Sequence, residues 1–168
     1  GMAGTDLPLM PAEVAELLRQ REGVVILDVG GGEEGTRVLG GLIPLLKQVQ
    51  VEHLAVINPR RPQTATVEQI VQVVQAIGHI SRLPLNGLVS NPNLGEATTV
   101  PQILADHELV AAAAERLRLP IRWLCVYRPL LAELQAKQRE QRQQVTVPLL
   151  PLDRWLVPPW ELSIGGER

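Results

Sequence analysis

The segment from Val24 to Gly35 carries the residues best suited to chemistry. An acid, Asp28, ends an apolar run, and three glycines at positions 30–32 turn the chain toward a predicted helix. Three kinds of site use this shape: a dinucleotide pyrophosphate at a helix N-terminus, an S-adenosylmethionine site, and a strand-end acid that supports Mg²⁺ beside a nucleotide phosphate. A tight strand-to-helix turn without a ligand fits the same residues, so the segment alone leaves four interpretations open.

Charge and spacing weaken two of these interpretations. Glu33 and Glu34 would lie where a pyrophosphate must bind, and like charges repel each other there. No acid follows the next apolar run to hold a ribose, because Asn58 stands at that position. The loop at positions 90–93 partly resembles the Asn-Pro-Pro-aromatic loop of methyltransferases, but the second proline and the aromatic residue are missing. The dinucleotide and methyltransferase interpretations therefore rank below the nucleotide-phosphate one.

Four apolar runs must supply the strands that position these residues. Each run is nearly continuous rather than alternating, which is typical of strands covered on both faces in a parallel sheet. The runs are Val24–Val29, Leu54–Ile57, Leu85–Ser90 and Ile121–Val126. Helical periodicity predicts helices over Pro11–Gln20, Thr36–Gln48, Val67–Ile77, Pro101–Leu117 and Leu130–Gln144. This alternation predicts a three-layer α/β fold, with a mainly parallel sheet and helices on both faces.

The chain of 168 residues agrees with one domain. Residues 1–144 contain all the predicted elements of that domain. The Pro-containing tail, residues 145–168, is either a last edge strand followed by a packed coil or an extended arm for a partner. We expect the tail to pack on the same domain, with Trp155 and Trp160 buried against it.

Composition excludes several classes of protein. The net charge is −2, so no basic surface for nucleic acid or anionic lipid is expected. No apolar run reaches the roughly 18 residues that a membrane helix needs, and no signal peptide opens the chain, which predicts a cytoplasmic protein. The only cysteine is Cys125, which excludes an internal disulfide. The three histidines are scattered, without other ligands at metal-binding spacing.

Six motifs follow one another in order along nearly the whole chain, from Asp6 to Leu162. They are the segments at positions 5–8, 24–39, 58–64, 87–99, 119–121 and 151–162. Together they resemble the C-terminal part of a family of uncharacterised bacterial P-loop ATPases, related to the MinD, ParA and cobyrinic-acid-synthase nucleotide-binding domains. The most specific piece is the Asn-x-Asn-Leu-Gly-x-x-Thr-Thr run from Asn91 to Thr99.

The resemblance implies roles for five residues. Asp28 would act near Mg²⁺ and the attacking water, holding the metal indirectly, and Gly30 and Gly31 would let the backbone pass close to a γ-phosphate. Asn91, at the end of its strand, would read the nucleotide base, and Asn93 belongs to the same nucleotide-binding run. The implied cofactor is ATP with Mg²⁺. Both Asn91 and Asn58 also fit as residues that cap the turns before the prolines that follow them.

The phosphate-binding loop of that family is missing from this sequence. Such a loop needs Gly-Lys-Ser/Thr, whereas Lys47 is followed by Gln48 and Lys137 by Gln138. Without the amides, lysine and hydroxyl of that loop, the charge stabilisation of phosphoryl transfer is largely lost. The isolated chain is therefore expected not to be an autonomous ATPase, and ATP with Mg²⁺ is expected only when a partner supplies the P-loop.

In related folds the P-loop strand lies beside the strand that ends in the acid. If that strand is absent, either the run at Val24–Val29 pairs directly with the run at Leu54–Ile57, or another chain supplies the strand, because unpaired strand edges are costly. The first hypothesis for function is an incomplete P-loop ATPase homologue that completes a nucleotide site or assembly with a separate P-loop partner. The alternative is a non-catalytic interaction module, as a homodimer, with a relic nucleotide site. An S-adenosylmethionine-dependent methyltransferase ranks third.

Overall fold

The computed structural model describes residues 12–20, 23–30, 33–141 and 145–155. Helices and strands alternate along most of this part of the chain. The elements are α1 (Ala12–Gln20), α2 (Glu33–Leu46), β1 (Leu54–Ile57), α3 (Val67–Ser81), β2 (Gly87–Ser90), α4 (Val100–Leu117), β3 (Ile121–Tyr127), α5 (Leu131–Gln141) and β4 (Leu149–Leu152). Short 3₁₀ turns at Pro62–Thr64 and Arg128–Leu130 follow β1 and β3.

The strands form one four-stranded sheet in the order β1-β2-β3-β4. Every neighbouring pair is parallel. The predicted α/β class with a mainly parallel sheet is therefore confirmed, and the arrangement is consistent with a three-layer α/β fold. Three of the four predicted runs overlap β1, β2 and β3, and β4 is the edge strand that was one of the two expectations for the tail.

The remaining predicted strand, over residues 24–29, does not form. These residues pair with no strand in the described part of the chain. Direct pairing of this run with β1, one of the two expected ways to close the sheet, is therefore not seen. A strand is defined by its backbone partner, and an apolar sequence alone does not provide one.

Helices α3, α4 and α5 each connect one strand to its immediate neighbour in the same direction across the sheet. Such parallel crossovers are almost always right-handed, so successive steps in one direction place their helices on one face. Side-chain burial agrees with this rule. Strand residues Ala55, Ile57 and Leu88 share a cluster with residues of α3 and α4. Leu124 and Val126 share another with residues of α4 and α5.

The opposite face of the sheet is open at its edge strands and buried at its centre, where Val89 and Cys125 lie. Val56 of β1 is 62% exposed, and Leu150 and Leu152 of β4 are each 38% exposed. These side chains alternate with those that face the helices. Within the described residues, the crossover helices therefore form one layer over one face.

The first two helices pack beside the crossover layer. Helix α2 contacts α3 and α1. Its buried stripe, Leu39, Leu42 and Leu46, recurs at helical spacing. Leu18 of α1 joins the same apolar cluster. No helix of the described residues is both long and apolar enough to cross a membrane.

Candidate functional site

A cavity of about 440 Å³ opens where β2, β3 and β4 end. We call it the strand-end cavity. Its wall combines the loop after β2 with the ends of β3 and β4. The residues that line it are Asn91, Pro92, Asn93, Gly95, Thr98, Cys125, Val126, Tyr127, Leu152, Asp153, Arg154 and Trp155. Open α/β sheets bind ligands outside the carboxyl ends of their strands, so this is where the fold favours a site.

Asn91 lines the strand-end cavity directly after β2. Its backbone N–H donates to the Ile57 carbonyl at 2.8 Å, which fixes the residue directly after β2. The side-chain amide is half-buried and makes no hydrogen bond to any other described residue. An amide in this state offers one acceptor and two donors to a ligand in the cavity.

Asn93 uses its side chain locally. The Asn93 Oδ1 accepts a hydrogen bond from the Gly95 N–H at 2.7 Å. Gly95 has a φ of +62°, a left-handed conformation that favours glycine. Asn93 therefore shapes the rim of the cavity by holding a turn, and its carbonyl oxygen is already occupied.

Asn58 ties this rim to the end of β1. Its Oδ1 accepts from the Arg60 N–H at 3.0 Å, which is a turn-capping bond. The same side chain reaches across the sheet edge to Asn93: Oδ1 accepts from the Asn93 N–H at 3.3 Å, and Nδ2 donates to the Asn93 carbonyl at 2.9 Å. The expected turn-capping role of Asn58 is present, together with a tether that sequence spacing did not reveal.

The run from Asn91 to Thr99 satisfies much of its own backbone. Thr98 Oγ1 accepts from the Leu94 N–H at 2.8 Å and donates to the Gly95 carbonyl at 2.7 Å. Thr99 then begins α4 with a capping box that includes Gln102. The specific spacing of this motif is thus explained by a loop that builds one wall of the cavity.

The opposite rim is held by two ion pairs. Arg128 binds Asp153 through two hydrogen bonds of 2.7 Å each. These hydrogen bonds from Arg128 lower the pKa of Asp153 below its usual value. Arg154 contacts Glu96 at 3.1 Å and so joins the end of β4 to the loop after β2.

Two further lining residues set the character of the cavity floor. Burial raises the pKa of the Cys125 thiol to about 11, so this thiol is protonated at neutral pH. Tyr127 ends β3 and contributes an aromatic ring with a polar tip. The cavity floor therefore presents little charge.

The residues at the ends of β3 and β4 were missed by sequence reasoning. Trp155 lines the cavity yet is 87% exposed, so its predicted burial on the body is wrong. The other tail tryptophan, Trp160, lies outside the described residues. The sequence feature that could have identified these residues is their position directly after the apolar runs of β3 and β4.

The predicted phosphate-side residues lie elsewhere. Asp28 and Gly30 are exposed, do not line the strand-end cavity, and precede α2. Gly31 lies outside the described residues. A Cβ added at Gly35 would overlap the Gly30 carbonyl, so the chain enters α2 through a tight turn that needs glycine. The structure brings Asn91 and Asn93 together and leaves Asp28 apart from them.

Within the described residues, no group of three or more His, Cys, Asp or Glu side chains could hold a metal ion. Comparisons of the chain with protein-family models, with curated proteins and with solved structures find no match.

Proposed function

We propose that this domain supplies the base-binding half of a nucleotide site, which a separate partner bearing a P-loop completes. The observation that carries the proposal is the Asn91 amide, which makes no hydrogen bond to a described residue and lines the strand-end cavity together with Tyr127 and Trp155. A planar heterocycle can stack on an aromatic face and exchange hydrogen bonds with an amide. Position at the carboxyl ends of parallel strands supports the same proposal.

The described residues suit a nucleoside better than a triphosphate. Both arginines near the cavity already bind carboxylates, Arg128 with Asp153 and Arg154 with Glu96. The lining contains no lysine. Charge stabilisation of phosphates and of bound Mg²⁺ would therefore come from the partner, with Asp28 as the acid that this chain offers. ATP with Mg²⁺ would supply the phosphoryl group, and the residues of this chain would hold and orient the base.

Thermal unfolding with added ligands tests the proposal. Adenosine, Mg·ATP and Mg·ADP should raise the midpoint equally, because the isolated chain contacts only the nucleoside. A ligand at about 100 times its Kd stabilises by roughly 2.7 kcal/mol. Guanosine and S-adenosylmethionine serve as comparisons. A rise with S-adenosylmethionine alone would instead favour the methyltransferase.

Two variants make the test specific. Asn91→Ala should abolish the rise in the unfolding midpoint, because it removes the amide that reads the base. Asp28→Ala should leave that rise unchanged, because Asp28 lies outside the cavity. No shift with any nucleoside, or an equal shift in Asn91→Ala, would contradict the proposal.

A non-catalytic interaction module is the second candidate function. The exposed apolar side chains of Val24, Ile26 and Val56 favour it, since large exposed apolar groups grouped in one region mark interaction sites. In that case Asp28→Ala and Asn91→Ala would both leave partner binding intact, and no nucleotide would shift the unfolding midpoint.

A further inference from the structure

The outer edge of β1 has backbone groups ready to pair. The carbonyl of His53 accepts from the Asn86 N–H, and the carbonyl of Ile57 accepts from the Asn91 N–H, both at 2.8 Å on the β2 side. Backbone groups alternate along a strand, so Leu54 and Val56 direct their N–H and C=O away from β2. No strand of the described residues pairs with this edge.

Residues 23–30, which we call the 23–30 segment, show the alternating side-chain burial of a β-strand but have no strand partner among the described residues. Val25, Leu27 and Val29 pack into the apolar cluster of α1 and α2. The residues between them point the other way, with Val24 90% and Ile26 87% exposed. This period of two is that of a β-strand, yet no backbone pairing joins the segment to the sheet.

The packing of the helices places the 23–30 segment beyond β1. Helix α3 contacts α4 on one side and α2 on the other, and α4 contacts β2 and β3. Helix α2 therefore lies on the side of α3 that faces away from β2. It leads from the 23–30 segment to β1, as α3 leads from β1 to β2. The 23–30 segment packs against α2, on the side of α3 away from α4, and both the segment and β1 carry exposed apolar side chains. We call the region between the segment and the outer edge of β1 the slot.

We propose that this slot binds one β-strand of a separate polypeptide, parallel to β1. The strand would take its hydrogen bonds from the outward backbone groups of Leu54 and Val56. Its side chains would be apolar, because one face meets the helix layer and the other extends the row formed by Ile26 and Val56. The inference deepens the proposed function, since the P-loop partner would be the source of the strand, but it depends on backbone geometry rather than on nucleotide binding.

A second copy of this chain fits the slot poorly. A two-fold axis would bring β1 against β1, with the two strands antiparallel. The 23–30 segment and α2 lie beyond that edge and would block the approach. Each of the four paired strands is already held in its own sheet. A single strand from another polypeptide could bind without moving the 23–30 segment or α2 and without breaking the pairing of the four strands.

Hydrogen exchange by NMR on the full chain tests whether the slot is open. The Leu54 and Val56 amides should exchange at least tenfold faster than the Ala55 and Ile57 amides, which face β2, while the chain elutes as a monomer. Protected Leu54 and Val56 amides in a monomer would mean that the chain fills its own slot. Protection that grows with concentration, together with a dimer, would mean that a second copy fills it. Either result would overturn the proposal.

A strand-forming peptide then tests whether the slot accepts a strand. The probe is a synthetic peptide of seven alternating valines and isoleucines flanked by lysines, added without nucleotide. It should slow exchange of the Leu54 and Val56 amides at least tenfold. Val56→Pro removes the outward N–H and should abolish the protection. Peptide that leaves these amides unprotected would overturn the proposal.

Charged variants guard against misfolding of Val56→Pro. The double variant Val24→Lys and Ile26→Lys changes only exposed side chains and should weaken peptide protection at least fivefold. Leu150→Lys, on the far edge strand, is the matched control and should leave that protection unchanged. An equal loss of amide protection in Val56→Pro, the double variant and Leu150→Lys would show that the peptide adsorbs non-specifically, which would overturn the proposal. Because no nucleotide is present, a failure here is distinct from a failure of the base-binding proposal.

Discussion

Two sides of this sheet, the carboxyl ends of β2, β3 and β4 and the outer edge of β1, differ in whether their backbone polar groups are paired. At the ends of β2, β3 and β4, side chains satisfy the backbone: Asn58 holds Asn93, Thr98 closes its own loop, and Arg128 clamps Asp153. Beside β1, two backbone edges border a slot, and the apolar side chains of Val24 and Ile26 face outward.

The carboxyl ends of the strands are therefore satisfied within this chain, whereas the outer edge of β1 has backbone groups that no described strand pairs. Polar side chains can satisfy one another within this chain, either inside the loop after β2, as Thr98 does, or across 25–35 residues, as Arg128 and Asn58 do. Strand pairing cannot be encoded this way, since it needs a second backbone. The carboxyl ends of the strands therefore offer a ligand cavity, and the outer edge of β1 offers an interface.

Apolar truncation gives the largest expected contrast between the two sides. Ile103→Ala should lower the free energy of unfolding by about 2–5 kcal/mol, because Ile103 is fully buried between α4 and the sheet. Ile26→Ala should change it by less than about 0.5 kcal/mol, because Ile26 is 87% exposed. Urea unfolding of both variants measures this. A large loss in Ile26→Ala would show that the 23–30 segment is buried in solution.

The Asn58 tether gives the next largest effect. Asn58→Ala removes three hydrogen bonds and should destabilise the fold by about 1–3 kcal/mol. Asn58→Asp keeps the acceptor and loses only the donor to Asn93, so it should cost less. Amide exchange should accelerate in the loop after β2 and remain unchanged in α2. A uniform acceleration through both regions would contradict a local tether.

His107 of α4 makes the stability of the fold depend on pH. Burial lowers the pKa of His107 below its usual 6.5, with Glu108 acting in the opposite direction. The unfolded chain then binds this proton more readily than the folded one, so stability is complete above about pH 6.5 and falls as pH drops toward the folded pKa. One proton limits the slope to about 1.4 kcal/mol per pH unit. Urea unfolding of His107→Gln should show a flatter profile between pH 7 and 5 than the parent chain, and an unchanged profile would contradict the prediction.

How far the sequence predicts this molecule depends on whether the signal is local. Helices α3 and α4 were predictable because their apolar stripes repeat at helical spacing and each begins with a threonine cap. Strands β1 and β3 were predictable because short apolar runs between helices have few other places to lie. The 24–29 run has the same composition as those strands, but no pairing partner among the described residues.

The candidate site was only partly predictable for the same reason. Asn91 stands at the end of an apolar run, so its place at a sheet edge follows from the sequence. Tyr127 follows from the sequence in the same way, because it ends the apolar run of β3, whereas Trp155 joins them only because β4 pairs with β3. That register depends on tertiary contacts. Asp28 was grouped with Asn91 through the resemblance to P-loop ATPases, and in the structure Asp28 does not line the cavity that contains Asn91.

The smallest expected effect concerns the ion pair that ends β4. Arg128 and Asp153 are both about half exposed, so water and salt screen their attraction and leave little net stabilisation. The hydrogen bonds from Arg128 lower the pKa of Asp153 below 3.8, so the pair contributes above that pH and is lost as pH falls through the folded pKa. In Arg128→Gln, an NMR titration should find the Asp153 pKa raised toward 3.8. In the parent chain, 1 M salt should also raise the Asp153 pKa, because salt screens the attraction of Arg128. The free energy of unfolding should hardly change, while exchange at Leu152 should quicken, because the pair orients the end of β4 more than it stabilises the fold. A pKa that stays low in Arg128→Gln would mean that the backbone of the cavity rim, rather than the arginine, holds this carboxylate.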